Sequence, residues 1–237
     1  MWRKLNRLRT ILVPVILLAA GVLATVYFVE NATPMAARLL VYPNVLRVLG
    51  QHLLLVVVSS LLAIAAAVPL GIIISRPAFR PVAPVIESIV NIGQTVPSLA
   101  VLALFMTLFG LGFRTAVFAL WLYSLLPILR NTYAGMKSIG PEIIEAARGM
   151  GMKAHRILSR IELPLAFPII MAGIRTAVVI NVGTATLASF IGAGGLGDFI
   201  VTGISLRRTE LIYTGAALSA LLAIFFDDLL ARLEKYV

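Results

Sequence analysis

From Gln51 to Ile74 the chain carries no Asp, Glu, Lys or Arg. As a helix rising about 1.5 Å per residue, that run is long enough to cross a hydrocarbon core of ~30 Å. Further apolar runs extend from Ile11 to Val29, about Val85 to Phe109, Thr115 to about Leu129, about Leu165 to Ile191 and about Leu211 to Leu230. Hydrophobic residues make up 60% of the sequence and charged ones 13%, against about half and a quarter in soluble domains. The expected fold is all-α and integral to the membrane, with six transmembrane helices in a single domain over residues 1–237.

The charged residues set the orientation. Arg3, Lys4, Arg7 and Arg9 precede the first run, and Arg76 and Arg80 follow the second. Arg130, Lys137, Arg148, Lys153, Arg156, Arg160, Arg232 and Lys235 fall on that same side, whereas Arg38, Arg114, Arg207 and Arg208 fall on the other, with Arg47 at a span's edge. Positive charge favours the cytoplasm, so both termini are placed there. Because the cations sit in short segments between apolar runs, the net charge of +10 orients a membrane protein and does not indicate nucleic acid. The first run exceeds the apolar region of a signal peptide, about 7 to 15 residues, and no small-x-small site ends it. It reads as an uncleaved span. There is no cysteine, and His52 and His155 stand in different segments, so neither a metal site nor a catalytic pair is expected.

Between the fourth and fifth runs, in a cytoplasmic loop over 134–165, lies the polar insert PEIIEAARGMGMKAHRILSRIELP from Pro141 to Pro164. Pro141 suits a first helical position, which has no use for an amide hydrogen, and Glu142 and Glu145 place negative charge on the positive end of the helix dipole. Gly149 and Gly151 end this helix. Lys153 to Arg160 form a second short basic segment, and Leu163 and Pro164 are expected to turn the chain back. Ile143, Ala147 and Met150 share one side of the helix, flanked by Ile144 and Ala146. Such a knob of small side chains fits the groove of a soluble partner. From composition alone an ordinary helical loop is an equal alternative.

Glu145, Ala146, Ala147, Gly151, Ile161, Leu163 and Pro164 stand at the spacing of the EAA signature: EAA, three residues, Gly, nine residues, Ile, one residue, Leu-Pro. In this the chain resembles the permeases of ABC importers, which implies a type I ABC-importer permease fold. The resemblance makes the loop a coupling helix docking on an ATPase, with Glu145, Ala146, Ala147, Gly151 and Pro164 as its coupling residues. It also implies ABC ATPase subunits, a second permease chain in a homo- or heterodimer, an extracytoplasmic substrate-binding protein, and a multi-pass location among the lipids of a bacterial or archaeal cytoplasmic (inner) membrane. Residues 1–44 would form an N-terminal span and exterior loop, and 45–230 a five-span core. ATP and Mg would belong to the ATPase. No Gly-Lys-Ser or Gly-Lys-Thr of a Walker A loop occurs here, so this chain is read as a transport subunit without a cofactor, and not as an enzyme.

The third run holds Glu87, Asn91, Gln94 and Thr95, with Pro97 within its body, and the fifth holds Arg175, Asn181, Thr184 and Thr186. Polar groups in hydrocarbon face other helices or a wet pathway. Asn91, Gln94, Asn181, Thr184 and Thr186 are the candidates for a translocation path, with satisfaction inside the bundle as the competing reading. Trp121 and Tyr123 are open between path and packing, and Arg175 is expected in a structural pairing near the cytoplasmic headgroups. Gly192 to Gly197 formally contains GxGxxG, but it follows a membrane helix and not a strand, so a dinucleotide site is excluded. Gly192, Gly194, Gly195 and Gly197 instead predict an exterior bend leading into a short helix from Asp198 to about Ser205.

The stretches QTVPSLA from Gln94, GIRTA from Gly173 and GTATLASFI from Gly183 resemble one branch of these permeases, that for osmoprotectants such as glycine betaine, choline and carnitine. The implied function is translocation of such a solute by alternating access. A permease for a methionine-like or other small polar solute is the alternative in the same class. An uncoupled channel or membrane scaffold is the alternative in another.

Overall fold

Proline placement explains much of where the helices of this chain begin, bend and change pitch. The structure, a computed structural model, describes residues 19, 21–23, 25–79 and 81–235. Most of the run from Ile11 to Val29, and the cations Arg3, Lys4, Arg7, Arg9 and Arg80, lie outside the described residues. A short apolar helix, α1 (Gly21–Glu30), leads to α2 (Pro34–Leu39) and α3 (Tyr42–Ser75). Pro34 and Pro43 occupy first turns, where a missing amide leaves no bond unmade. These helices fill the segment up to Asn44 that was expected as a loop, and α3 starts well before Gln51.

The chain continues through α4 (Ala83–Thr95), α5 (Ser98–Phe109), α6 (Phe113–Lys137), α7 (Pro141–Gly149) and α8 (Ala154–Ile157). A π-turn (Leu158–Glu162), α9 (Leu163–Thr184), a 3₁₀ segment (Ala185–Ile191), α10 (Gly197–Leu206) and α11 (Thr209–Lys235) complete it. Among the described residues there is no strand, and four helical stretches are long and apolar enough to cross a membrane: Tyr42–Ser75, Phe113–Lys137, Ala154–Ile191 and Thr209–Glu234. A fifth appears if α4 and α5 count as one span. The expected six are not reached within the described residues.

The third run is not the single helix expected from Val85 to Phe109. It breaks between Thr95 and Ser98, and α4 and α5 meet at 96°. Pro97 has no amide to give to Gly93 and disfavours helix at the residue before it, so Val96 is extended at φ −76°, ψ 131°. The exposed polar groups find partners on α6. Pro127, inside α6, cannot donate to the carbonyl of Tyr123, and the Gln94 side-chain amide donates to that carbonyl at 2.6 Å. The Tyr123 hydroxyl in turn donates to Val96 O, beside the break. One proline's orphaned carbonyl and another's broken helix are thus joined by two side chains.

A second expectation also needs correction. Leu163 and Pro164 do not turn the chain back: α8, the π-turn and α9 form one continuous helical rod. The widened turn, in which Leu163 N–H donates to Leu158 O, admits Pro164 without breaking the helix.

Helix α6 is the most enclosed span and α11 the least. Leu120, Ile128 and Leu129 of α6 are buried against α3 and α9. The backbones approach closely at glycines: a Cβ on Gly71 would lie 2.7 Å from Thr132 Cβ, and one on Gly173 would lie 2.7 Å from Pro127 O. Small residues at helix crossings are how helices pack without a hydrophobic driving force between them. Helix α11 continues past the expected Leu230, so Arg232 lies on it and pairs with Asp228 at 2.7 Å.

Candidate functional site

Helix α7 starts where proline and charge predict. Pro141 is in its first turn, Glu142 adds an acidic group there, and Gly151 at φ +78° follows its end. Its inward and outward faces differ from those expected. Ala147 is 1% exposed, with Ile144 partly covered beside it, whereas Met150 is 73% exposed and Ile143, Glu145 and Ala146 are open as well. The open surface of α7 is therefore Ile143, Glu145, Ala146 and Met150, and Ala147 is its buried residue.

The base of this loop is held by an ion pair missed in the sequence. Both Arg76 terminal nitrogens donate to the Glu162 carboxylate at 2.7 Å, joining the end of α3 to the π-turn before α9. Glu162 is nearly enclosed, while Arg76 keeps 36% of its side chain exposed. The Glu162 hydrogen bonds raise the Arg76 pKa above its already high ordinary value, which keeps the guanidinium charged. A cavity of about 320 Å³ lies under α7, lined by Arg76, Lys137, Ile144, Glu145, Arg148 and Glu162 among others. Pro164 lies two residues beyond Glu162, inside the helical rod.

The path candidates separate. Asn181 is wholly buried and its side-chain amide donates to Ser59 Oγ and Ser60 Oγ, each at 3.0 Å, joining α9 to α3. Gln94 is tied to Tyr123 as described. Thr184 donates to the carbonyl of Ile180 within α9, Thr186 of the 3₁₀ segment donates back to that of Gly183 in α9, and Asn91 is half-buried on α4. Their hydrogen bonds thus run to different elements. Arg175 is paired bidentately with Asp227 of α11 at 2.5 and 2.7 Å, with Glu234 3.9 Å away. Trp121 packs on Phe118, and Tyr123 is buried.

The bend after the 3₁₀ segment has Gly192, Gly194 and Gly195 at φ +71°, +78° and +101°, a region where side chains are strained. Gly197 needs its lack of a side chain for a different reason, since a Cβ would run into Thr186 O. This turn is packed against α3: a Cβ on Gly194 would lie 2.6 Å from Gln51 Oε1, and one on Gly195 would lie 3.1 Å from His52 Nδ1. In the sequence His52 stands isolated. Its one signal there is a polar ring in an otherwise apolar run. Among the described residues no group of His, Asp or Glu is arranged to hold a metal.

A family model described as binding-protein-dependent transport system inner membrane component matches residues 67–237. The chain is 47% identical over 188 residues to the glycine betaine/carnitine/choline transport system permease protein OpuCB of Bacillus subtilis (strain 168), a match covering 79% of this chain and 86% of that one. It is 48% identical over 184 residues to the osmoprotectant import permease protein OsmY of Salmonella typhimurium, covering 77% and 78%. Among solved structures it is similar to a chain of the MetNI methionine ABC transporter in an inward-facing conformation, with a TM-score of 0.72 at 22% identity over 81% of this chain and 95% of that one. That last likeness is one of fold.

Proposed function

Because this chain belongs to the family of binding-protein-dependent transport system inner membrane components, we propose that it is the membrane-spanning subunit of an ATP-driven importer for an osmoprotectant such as glycine betaine, choline or carnitine. The observation carrying the substrate class is the 47–48% identity, over most of both chains, to permeases named for those solutes. A pair of these permease chains works with two ATPase subunits, which hold the ATP and Mg, and with an extracytoplasmic substrate-binding protein. On the six-span reading both termini and α7 lie in the cytoplasm, and the glycine bend Gly192, Gly194, Gly195 and Gly197 lies at the exterior, where the binding protein docks.

The coupling helix is α7, and what supports that role is its open face of Glu145 and Ala146 on a helix anchored through Ala147. Gly151 and Pro164 shape its exit, Gly151 by ending α7 and Pro164 through the π-turn. ATP closes the ATPase pair, draws the two coupling helices together and favours the outward-open arrangement of the bundle; hydrolysis restores the inward-open one. Asn91, Gln94, Asn181, Thr184 and Thr186 are the polar groups assigned to the path. Those now engaged inside one arrangement, Asn181 above all, reach it only if the helices separate in the other. A quaternary ammonium is selected chiefly by aromatic groups of the binding protein.

The test is uptake into proteoliposomes holding both permease chains and the ATPase, with binding protein and ATP supplied. ATP-dependent accumulation of glycine betaine, choline or carnitine is expected; accumulation of methionine alone, or flux without ATP, overturns the reading. In the same system Glu145→Ala is expected to leave membrane insertion intact and to weaken capture of the ATPase by affinity-tagged permease. Undiminished capture counts against the coupling assignment.

A further inference from the structure

His52 is wholly enclosed, and nothing in the account of the permease uses it. Its Nε2 lies 3.1 Å from Val182 O on α9, and its Nδ1 lies 3.2 Å from the backbone nitrogen of Leu196. A carbonyl only accepts and an amide only donates. The ring is therefore neutral, with its proton on Nε2, donating to Val182 and accepting from Leu196.

Each partner sits where a backbone group needs help. Val182 is two residues before α9 gives way to the 3₁₀ segment, where the hydrogen-bond spacing changes. Leu196 stands just ahead of α10, with no helical carbonyl behind it to take its amide. The glycine bend is shaped to the ring, since Gly195 at φ +101° leaves room for only 3.1 Å between a notional Cβ and His52 Nδ1. One side chain of α3 thus joins the far part of α9 to the bend. The near end of α9 runs without interruption into α8 and the loop of α7.

We propose that His52 is a positioning residue coupling α9 to the glycine bend, so that a shift of α9 driven from the coupling loop is felt at the bend, and binding-protein contact at the bend is felt along α9. This rests on the importer reading above. Among the described residues, this side chain of α3 bonds both α9 and the bend through polar ring atoms that no apolar side chain replaces. Leucine in its place fills the space but leaves a buried carbonyl and a buried amide unpaired.

The test uses the whole complex, permease pair, ATPase and binding protein, in lipid nanodiscs, and compares ATP hydrolysis with and without substrate-loaded binding protein. His52→Leu is expected to keep the basal rate and to lose stimulation by about fivefold, the lower end of usual coupling between sites. His52→Gln, whose amide offers both a donor and an acceptor, is expected to retain most of the stimulation. If His52→Leu does not assemble, His52→Asn, too short to reach both partners, takes its place with the same expected loss. Equal stimulation in the variant and the parent, or a proportional fall of basal and stimulated rates, overturns the role of His52. A parent complex that binding protein does not stimulate at all defeats the importer reading, and this inference with it.

Discussion

The two ends of α9 are held in opposite ways. Before it, α7 leaves Ile143, Glu145, Ala146 and Met150 open and buries Ala147, while the Arg76–Glu162 pair joins the end of α3 to the π-turn beyond it. After it, Gly194, Gly195, Leu196 and Gly197 are all buried, and their backbone lies directly on Gln51, His52 and Thr186. An open segment keeps its side chains free and is anchored at few points. The bend gives up side chains so that its backbone can lie against the side chains of Gln51 and His52 and the backbone of Thr186. Substitutions at the two ends should therefore differ in kind as well as in size.

The largest effect is expected at the bend. Gly197→Ala puts a methyl onto the Thr186 carbonyl, and overpacking against backbone costs about 3 kcal/mol. A drop in the thermal unfolding midpoint of the purified protein reads this directly; an unchanged midpoint would show that the bend is looser than described. Next is Arg76→Met, which strands the nearly enclosed Glu162. A fully buried pair would lose ~3–5 kcal/mol, and the exposure of Arg76 reduces this to about 2 kcal/mol. The double variant Arg76→Met with Glu162→Leu should lose less than the two single variants summed, as measured in a double-mutant cycle. Strict additivity would mean the pair does not anchor the loop. Smallest is Met150→Ala on the open face of α7, where stability should stay within about 0.5 kcal/mol because little is buried there. A loss matching that of Gly197→Ala would erase the contrast between the two ends.

What could be read directly from the residues was whatever depends on local chemistry. The apolar runs announced spans, Pro141 announced the start of α7, and the glycines at 192 to 195 announced a bend with positive φ. Pro97 carries the same kind of local information, since a proline in the body of a run is first a reason for the helix to stop, as it does between Thr95 and Ser98. The EAA spacing pointed to the family because it records a sequence pattern, and the family match over residues 67–237 agrees.

Which polar groups face which could not be read that way. Glu162 lies 86 residues from Arg76, Asn181 lies 121 residues from Ser60, and His52 lies 144 residues from Leu196. The periodicity of each helix says which residues share a face, but not which neighbour that face meets or at what height. Only the packing of α3, α6 and α9 through Gly71 and Gly173 sets those heights. It turned an apparently solitary histidine into a bridge between two backbones, and it turned Gln94 and Asn181, polar residues in apolar runs, into bonds between helices. Composition decided the solvent this chain belongs in; the close approach of its helices decided what each polar side chain inside it touches.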